Sequence, residues 1–488
     1  MQKTGKYPES PRNPILWGEG DMGSLVVRGG DVYPKPGGRV SLQWLTACEE
    51  ERALTADLME KIADLSNLVT AMRQVVSNGG SAGIDGMNVT ELKEWLNGHW
   101  QELQRSLTEG TYTPSGVRGV RIPKPKGGYR QLGIPTVKDR LVQQAISQVL
   151  SKRYEPTFSD SSYGFRPGRS AHQALEKAAG YVAEGYRYVV DLDLEKFFDK
   201  VNHDRLMWIL SNRIGDKRVL KLIGKILRSG IMQDGLLSQR LQGTPQGSPL
   251  SPLLSNIVLD ELDKELESRG HCFVRYADDM VLLIKSEKAA IRVAMSITDF
   301  IENRMKLKVN REKSRICKPW ELNFLGYTVQ YDGGLGISQE SLRRFKAKLK
   351  RITRRNRGIS LEQLVRGLNP VLRGWLNYFH LARIKKALRR LEGWLRRRIR
   401  CFRLKQCKRA IGIVRFLRSR GIAEKQCWLL ALSGKGWYRL SNTPQAAIAM
   451  NLTWFDNIGL FNLCANYCFT FKETAPYVSR MRGGVRGS

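Results

Sequence analysis

Two adjacent aspartates, Asp278 and Asp279, stand between two apolar, β-rich runs, CFVRYA (272–277) and MVLLIK (280–285). Strand, acid pair, strand predicts a hairpin with two carboxylates at its tip. Neighbouring carboxylates repel each other, and one turn aspartate would serve a structural role. Hard divalent cations offset that repulsion, because carboxylate oxygens are the ligands Mg²⁺ prefers. An acid pair alone is common, so it needs a partner. The partner lies in VVDLDLEKFFDKV (189–201). Asp191 and Asp193 alternate with apolar residues on a predicted strand and so project from one face. Burying either without a cation or a donor is costly. One of them with the pair makes a three-carboxylate, two-metal site, of the kind that activates a 3′-hydroxyl and stabilises a leaving pyrophosphate. Asp199 reads instead as the cap of the following helical stretch.

Charge narrows the partner. The 488 residues carry 81 Lys or Arg against 46 Asp or Glu, a net +35. That excludes most small-metabolite enzymes as a first reading and points to a polyanion, nucleic acid before anionic membrane. A hydrophobic content of 42% excludes global disorder. The eight cysteines contain no CxxC pair, which suits a reducing compartment. The start, MQKTGKYPES, lacks the design of a signal peptide, and no run of eighteen apolar residues exists. The expectation is a soluble, cytoplasmic, nucleic-acid-binding protein.

Composition divides the chain. Residues 1–52 read as a flexible leader, rich in Gly and Pro over the first forty. Residues 53–80 show helical periodicity through Leu54, Leu58, Ile62 and Leu65, stopped by Asn78-Gly79-Gly80. Residues 81–335 mix strand-like and helix-like runs, the latter including 138–150 and 249–268. Between 341 and 420 stand 27 Lys or Arg against two acids, Glu362 and Glu392. Trp375, Tyr378, Phe379, Trp394 and Phe402 are interleaved with them, which reads as helices with an apolar stripe and a basic, nucleic-acid-facing side.

Ordered blocks around these residues resemble those of group II intron-encoded reverse transcriptases, also called maturases. They are GIDG (83–86), RIPKPKGGYRQLGIPTVKDR (121–140), SYGFRPGRSAHQAL (162–175), DLEKFFDKVNH (193–203), GTPQGSPLSPLLSN (243–256), YADD (276–279), LKVNREKS (307–314), LNFLGYTV (322–329) and GLNPVLRGWLNYF (367–379). The resemblance implies an α+β right-hand polymerase. Fingers and palm would span 81–335, and a thumb or maturase X domain 336–415. A helical N-terminal extension would precede them, and a small DNA-binding domain with a tail would occupy 416–488.

The same resemblance implies roles. Asp193, not Asp191, matches the catalytic acid beside Asp278 and Asp279. Together with the carbonyl of Leu194 they would hold two Mg²⁺, with Mn²⁺ as a substitute. Phe198 matches a steric gate under the sugar, and Gln246 a residue beside the incoming nucleotide. Arg118, Lys124 and Arg130 match fingers cations for the triphosphate. Lys313 would protonate or screen the leaving pyrophosphate. Leu325, Gly326 and Tyr327 match the primer grip, where glycine lets the backbone approach the primer. The implied partners are group II intron RNA, an RNA template with a DNA primer, target DNA and dNTPs, with no membrane and the oligomeric state open. Family members often end in an HNH endonuclease. No histidine lies beyond position 380, and Cys464 and Cys468 form a lone Cys-x₃-Cys, so that domain is expected to be absent and the two cysteines buried. Two alternatives stay open: a domesticated reverse transcriptase in phage defence, spacer acquisition or repair, and a splicing factor that binds RNA without polymerising.

Overall fold

The computed structural model describes residues 55–467 apart from 124–126, 234–235, 239–241 and 244–246. The leader at 1–52 and the last twenty residues therefore lie outside the described residues, as do Lys124 and Gln246. The chain divides into two compact units, Met1–Lys318 and Pro319–Ser488.

In the first unit, the periodic segment after residue 53 forms two helices, not one: α1 (Leu58–Ala63) and α2 (Leu65–Asn78). Asp64 causes the break. Its carboxylate accepts from the backbone N–H of Ser66 and Asn67, starting a new helix. Gly79, at φ +64°, ends α2 where the sequence predicts a stop. These helices pack with α3 (Leu92–Thr108) and α4 (Val137–Tyr154). A hairpin of β1 (Val117–Pro123) and β2 (Tyr129–Ile134) projects beside them, and β4 (Ile231–Gln233) and β5 (Leu236–Ser238) extend its sheet in the order β2-β1-β4-β5.

The second sheet carries the acids. It comprises β3 (Tyr188–Leu192), β6 (Cys272–Tyr276), β7 (Asp279–Ile284) and β8 (Arg315–Cys317), in the order β6-β7-β3-β8 and antiparallel throughout. Val189, Val190 and the run Met280–Ile284 are buried, as β-branched and aliphatic residues covered on both faces should be. Helices α5 (Ala171–Ala183), α8 (Ser251–Ser268) and α9 (Glu287–Asp299) pack on it. Two further helices, α6 (His203–Ser211) and α7 (Lys217–Arg228), follow the acid strand. Asn202 caps α6 by accepting from Arg205 N at 2.9 Å, so the cap expected of Asp199 belongs three residues later. Asp199 instead lies inside a short helical turn, Phe197–Lys200.

One buried ion pair fixes the acid hairpin. Arg275 is 1% exposed, in the middle of an otherwise apolar strand. Its guanidinium donates to Asp263 Oδ1 at 2.7 Å, Asn256 Oδ1 at 3.0 Å and the Ala277 carbonyl at 3.0 Å. Asp263 and Asn256 belong to α8, so the helix after the GTPQGSP block holds the turn before Asp278. Asn256 also donates to the Gly164 carbonyl at 2.9 Å, drawing in the SYGFRPG loop.

The second unit holds a hairpin of β9 (Tyr327–Val329) and β10 (Leu335–Ile337), then α10 (Gln339–Ile352), α11 (Leu361–Tyr378) and α12 (Lys385–Gln406). On α10 the basic residues Arg343, Arg344, Lys346, Lys348 and Lys350 are exposed, while Phe345 and Leu349 are buried. The aromatics are not free platforms. Trp375 stacks on Phe345 with centroids 4.1 Å apart, and Phe379 and Phe402 are buried. Part of the α12 charge is also spent inside the unit. Arg397 donates to the Tyr438 carbonyl at 3.0 Å, Arg398 to Thr353 Oγ1 at 2.6 Å, and Arg400 to the Met450 carbonyl at 3.0 Å. Residues 416–467 continue as short helices, and Cys464 is half-buried, not buried as expected; Cys468 lies outside the described residues. No described helix is long and apolar enough to cross a membrane.

Removing one partner of a fully buried pair leaves an uncompensated charge, at a cost of about 3–5 kcal/mol. Arg275→Met should therefore destabilise the protein by that order in denaturant unfolding. Arg275→Met with Asp263→Leu should recover most of it; a double variant no better than the single would refute the pairing as the source.

Candidate active site

Register brings the predicted acids together. Leu192 at the end of β3 lies opposite Met280 of β7, and Asp191 opposite Val281. The ladder ends there: Asp193 follows Leu192 directly, and Asp279 precedes Met280. The charges of Asp191 and Asp193 both act on Asp279, so the three lie near one another at this end of the sheet. Asp278 lies in the two-residue turn between Tyr276 and Asp279, which are themselves paired. That turn is tight enough to hold Ala277 at φ +59°.

The backbone of Asp193 is secured by the block at 307–314. Its N–H donates to Ser314 Oγ at 3.0 Å, and its carbonyl accepts from Asn310 N at 2.8 Å. Leu194 bridges to Val309. From the same block, the Lys313 ammonium sits 2.8 Å from Asp193 Oδ2. The contact of Lys313 here is thus with a carboxylate of the cluster.

Electrostatics show how crowded the cluster is. Desolvation first, then the charges of Asp278, Asp193 and Asp191, pushes the Asp279 carboxyl from 3.8 up to about 6. Desolvation also raises Asp278, with Asp193 adding to it and the charge of Arg130 opposing. Asp191 is pushed up to about 6 by desolvation, against the pull of Arg315 Nε at 3.5 Å from its carboxylate. Asp191 therefore has an arginine partner. Among the described residues, no three acidic, His or Cys side chains converge closely enough to hold a metal ion. The donor set of Asp193, Asp278 and Asp279 nevertheless suits a hard divalent cation, which would relieve the mutual repulsion that raises Asp279.

The flanking residues arrange as follows. On β1 and β2, Arg118 lies opposite Ile134 and Arg130 opposite Ile122, so both arginines project from the same face, about 14 Å apart along the hairpin. Arg118 Nε is buried without a hydrogen-bond partner among the described residues. Phe198 is half-buried, edge-on to Phe197 with centroids 5.4 Å apart. The glycine of the next block abuts it: a Cβ on Gly243 would fall 2.7 Å from the Phe198 carbonyl oxygen. Gly243 N also donates to the Val201 carbonyl at 2.8 Å. Two blocks far apart in sequence thus meet through backbone.

The Leu325-Gly326-Tyr327 block lies in the second unit. Tyr327 is fully buried and its hydroxyl donates to the Tyr378 carbonyl. Tyr378 in turn donates to the Leu325 carbonyl at 2.8 Å. A Cβ on Gly326 would lie 2.8 Å from Ser341 Oγ and 3.3 Å from the Phe379 ring. The glycine is thus required by packing within the unit, whatever else approaches it. The sequence reading passed over Arg275, Asp263 and Asn256. The available signal was an arginine inside an apolar strand, and an aspartate at helical spacing from Leu259 and Leu266.

Residues 122–329 match the family model "Reverse transcriptase (RNA-dependent DNA polymerase)", and residues 342–420 match "Group II intron, maturase-specific domain". The chain is 33% identical to Protein YkfC of Escherichia coli (strain K12) over 299 residues, covering 53% of this chain and 78% of that protein. It is 31% identical to the group II intron-encoded protein LtrA of Lactococcus lactis subsp. cremoris, over 47% of this chain and 49% of LtrA, so it spans about half the length of that relative. A solved partial Cas6-RT-Cas1–Cas2 complex matches 51% of this chain and 43% of its own at 27% identity, with a TM-score of only 0.33.

The raised Asp279 carboxyl makes a stability prediction. Folded, it keeps its proton up to about pH 6; unfolded, it releases it near 3.8. The native state binds more protons between those values, so this group's contribution falls as pH rises through the window and stays unfavourable above it. Asp279→Asn should therefore melt higher than the parent at pH 7.5 in chelator, with the gain vanishing below about pH 4. A variant that melts lower at pH 7.5 would overturn the repulsion argument.

Proposed function

Because the chain belongs to the reverse transcriptases that carry a group II intron maturase-specific domain, we propose that it extends a DNA primer on an RNA template and also binds its own intron RNA to promote splicing and mobility. The observation that supports the polymerase half is the mutual influence of Asp193, Asp278 and Asp279 where the paired strands β3 and β7 end.

Asp193, Asp278 and Asp279, with the Leu194 carbonyl, would hold Mg²⁺; the cations would lower the pKa of the primer 3′-hydroxyl and neutralise the leaving pyrophosphate. The chain's own groups do the rest. Arg130 and Arg118 share the hairpin face that meets the triphosphate, and the influence of Arg130 on Asp278 supports that placement. Lys313 is within reach of the leaving group, having its ammonium at the cluster already. Phe198 limits room at the sugar, held by the Gly243 backbone behind it. Lys124 and Gln246 keep the roles that the family resemblance implies.

The exposed cations of α10 support the RNA-binding half, together with the maturase-domain match that begins there. Recognition would rest on phosphate and shape contacts.

Asp278→Asn should abolish primer extension while leaving RNA affinity within about twofold, because phosphate contacts dominate binding. Extension by that variant would remove the metal site from the mechanism. RNA retained by the protein purified from its host should contain the intron that encodes this reading frame, and its binding should weaken steeply with salt. An unrelated small RNA would favour the domesticated reading. Phe198→Ala should raise ribonucleotide incorporation relative to deoxynucleotide; an unchanged preference would reassign the ring to packing.

A further inference from the structure

The SYGFRPG loop exposes one residue where its neighbours are hidden. Ser162, Tyr163, Gly164 and Arg166 are all buried, while Phe165 between them is 56% exposed. Its backbone is in the left-handed region, at φ +59°. A bulky side chain rarely adopts that conformation, and burial of this ring does not offset its cost.

The loop is clamped on both sides of the phenylalanine. After it, Arg166 donates to Glu155 Oε1 at 2.9 Å and to the Ser162 carbonyl at 2.8 Å. Before it, Gly164 lies so close to the acid hairpin that a Cβ would fall 2.2 Å from Ala277 N. Asn256 holds the Gly164 carbonyl, and Tyr163 N donates to the Arg275 carbonyl at 2.9 Å. Phe165 is therefore one residue from a segment in van der Waals contact with the turn that carries Asp278. Strain of this kind persists where the surroundings over-determine it, and it concentrates at ligand clamps.

We propose that Phe165 is a positioning residue for the primer–template duplex, its ring stacking on a base or sugar beside the Asp278–Asp279 turn. An aromatic face is sequence-tolerant, as a polymerase requires, because every base offers a π-face. Lys313 brings charge to the cluster; Phe165 serves geometry. The inference rests on the polymerase reading and adds a contact to it.

Glycine separates the two roles of this position, because it relieves the left-handed strain and removes the ring. In the full chain, Phe165→Gly should melt at or above the parent temperature. It should also weaken binding of a 3′-dideoxy DNA primer on an RNA template by about fivefold or more, the scale of one lost stacking contact. Phe165→Tyr should restore parental affinity, and the emission of Phe165→Trp should be quenched on adding the duplex. Parental affinity in Phe165→Gly would overturn the proposal. So would a lower melting temperature in that variant, which would mark the ring as structural. If the parent itself binds no primer–template, the polymerase reading fails; if only Phe165→Gly is indifferent, this inference alone does.

Discussion

A guanidinium with no access to water must have its charge answered in full, and the palm of this protein is organised around one that does. Arg275 satisfies Asp263, Asn256 and the carbonyl of Ala277 at once. Two of these contacts go to the helix after the GTPQGSP block and the third to the turn that carries the carboxylates, while Asn256 extends the hold to the SYGFRPG loop through the Gly164 carbonyl. The repulsion among Asp193, Asp278 and Asp279 would otherwise open that turn. A buried pair is a poor source of net stability compared with apolar packing, but it admits few alternative arrangements.

Much of this was legible in the sequence. The palm strands were readable because β7 is a run of aliphatic residues that follows the acid pair directly, and such a run has few other uses. The candidate carboxylates stood out through alternation in the segment around β3 and adjacency in the turn. What escaped notice depends on contacts between distant segments. Nothing local marks Asp263 as the partner of a residue twelve positions on. Asp64 looked like one more polar residue in a helical period, yet its carboxylate satisfies two backbone donors and divides the helix. Asp199 looked like a cap, but Asn202 stands where the backbone turns. The basic region misled in another way. Composition counts charges without asking where they point, and Arg397, Arg398 and Arg400 turn inward to carbonyl and hydroxyl oxygens.

Glycines mark the places where sequence blocks meet. Gly243 lies against the turn that presents Phe198, and Gly326 against Ser341 and the Phe379 ring. In each, a single methyl group would displace backbone or a packed ring. Blocks that look like independent motifs along the chain are thus parts of shared surfaces, each requiring the absence of a side chain in the other. The Leu325–Tyr327 segment is packed accordingly: its tyrosine is core, and the Leu325 carbonyl accepts from Tyr378.

The backbone bonds between residues 161–163 and Arg275 have an effect beyond the site. β6 is an outer strand of its sheet, and such a strand offers unpaired N–H and C=O groups to any other extended chain. Arg275 N donates to the Ser161 carbonyl and its own carbonyl accepts from Tyr163 N. The loop therefore occupies the outward-facing groups in the middle of that strand with a single-residue bridge too short to be extended. During synthesis or partial unfolding, the apolar sheet would be open to strand addition from a neighbouring chain until this loop closes. The segment that presents the exposed phenylalanine is in this sense also the sheet's seal against aggregation.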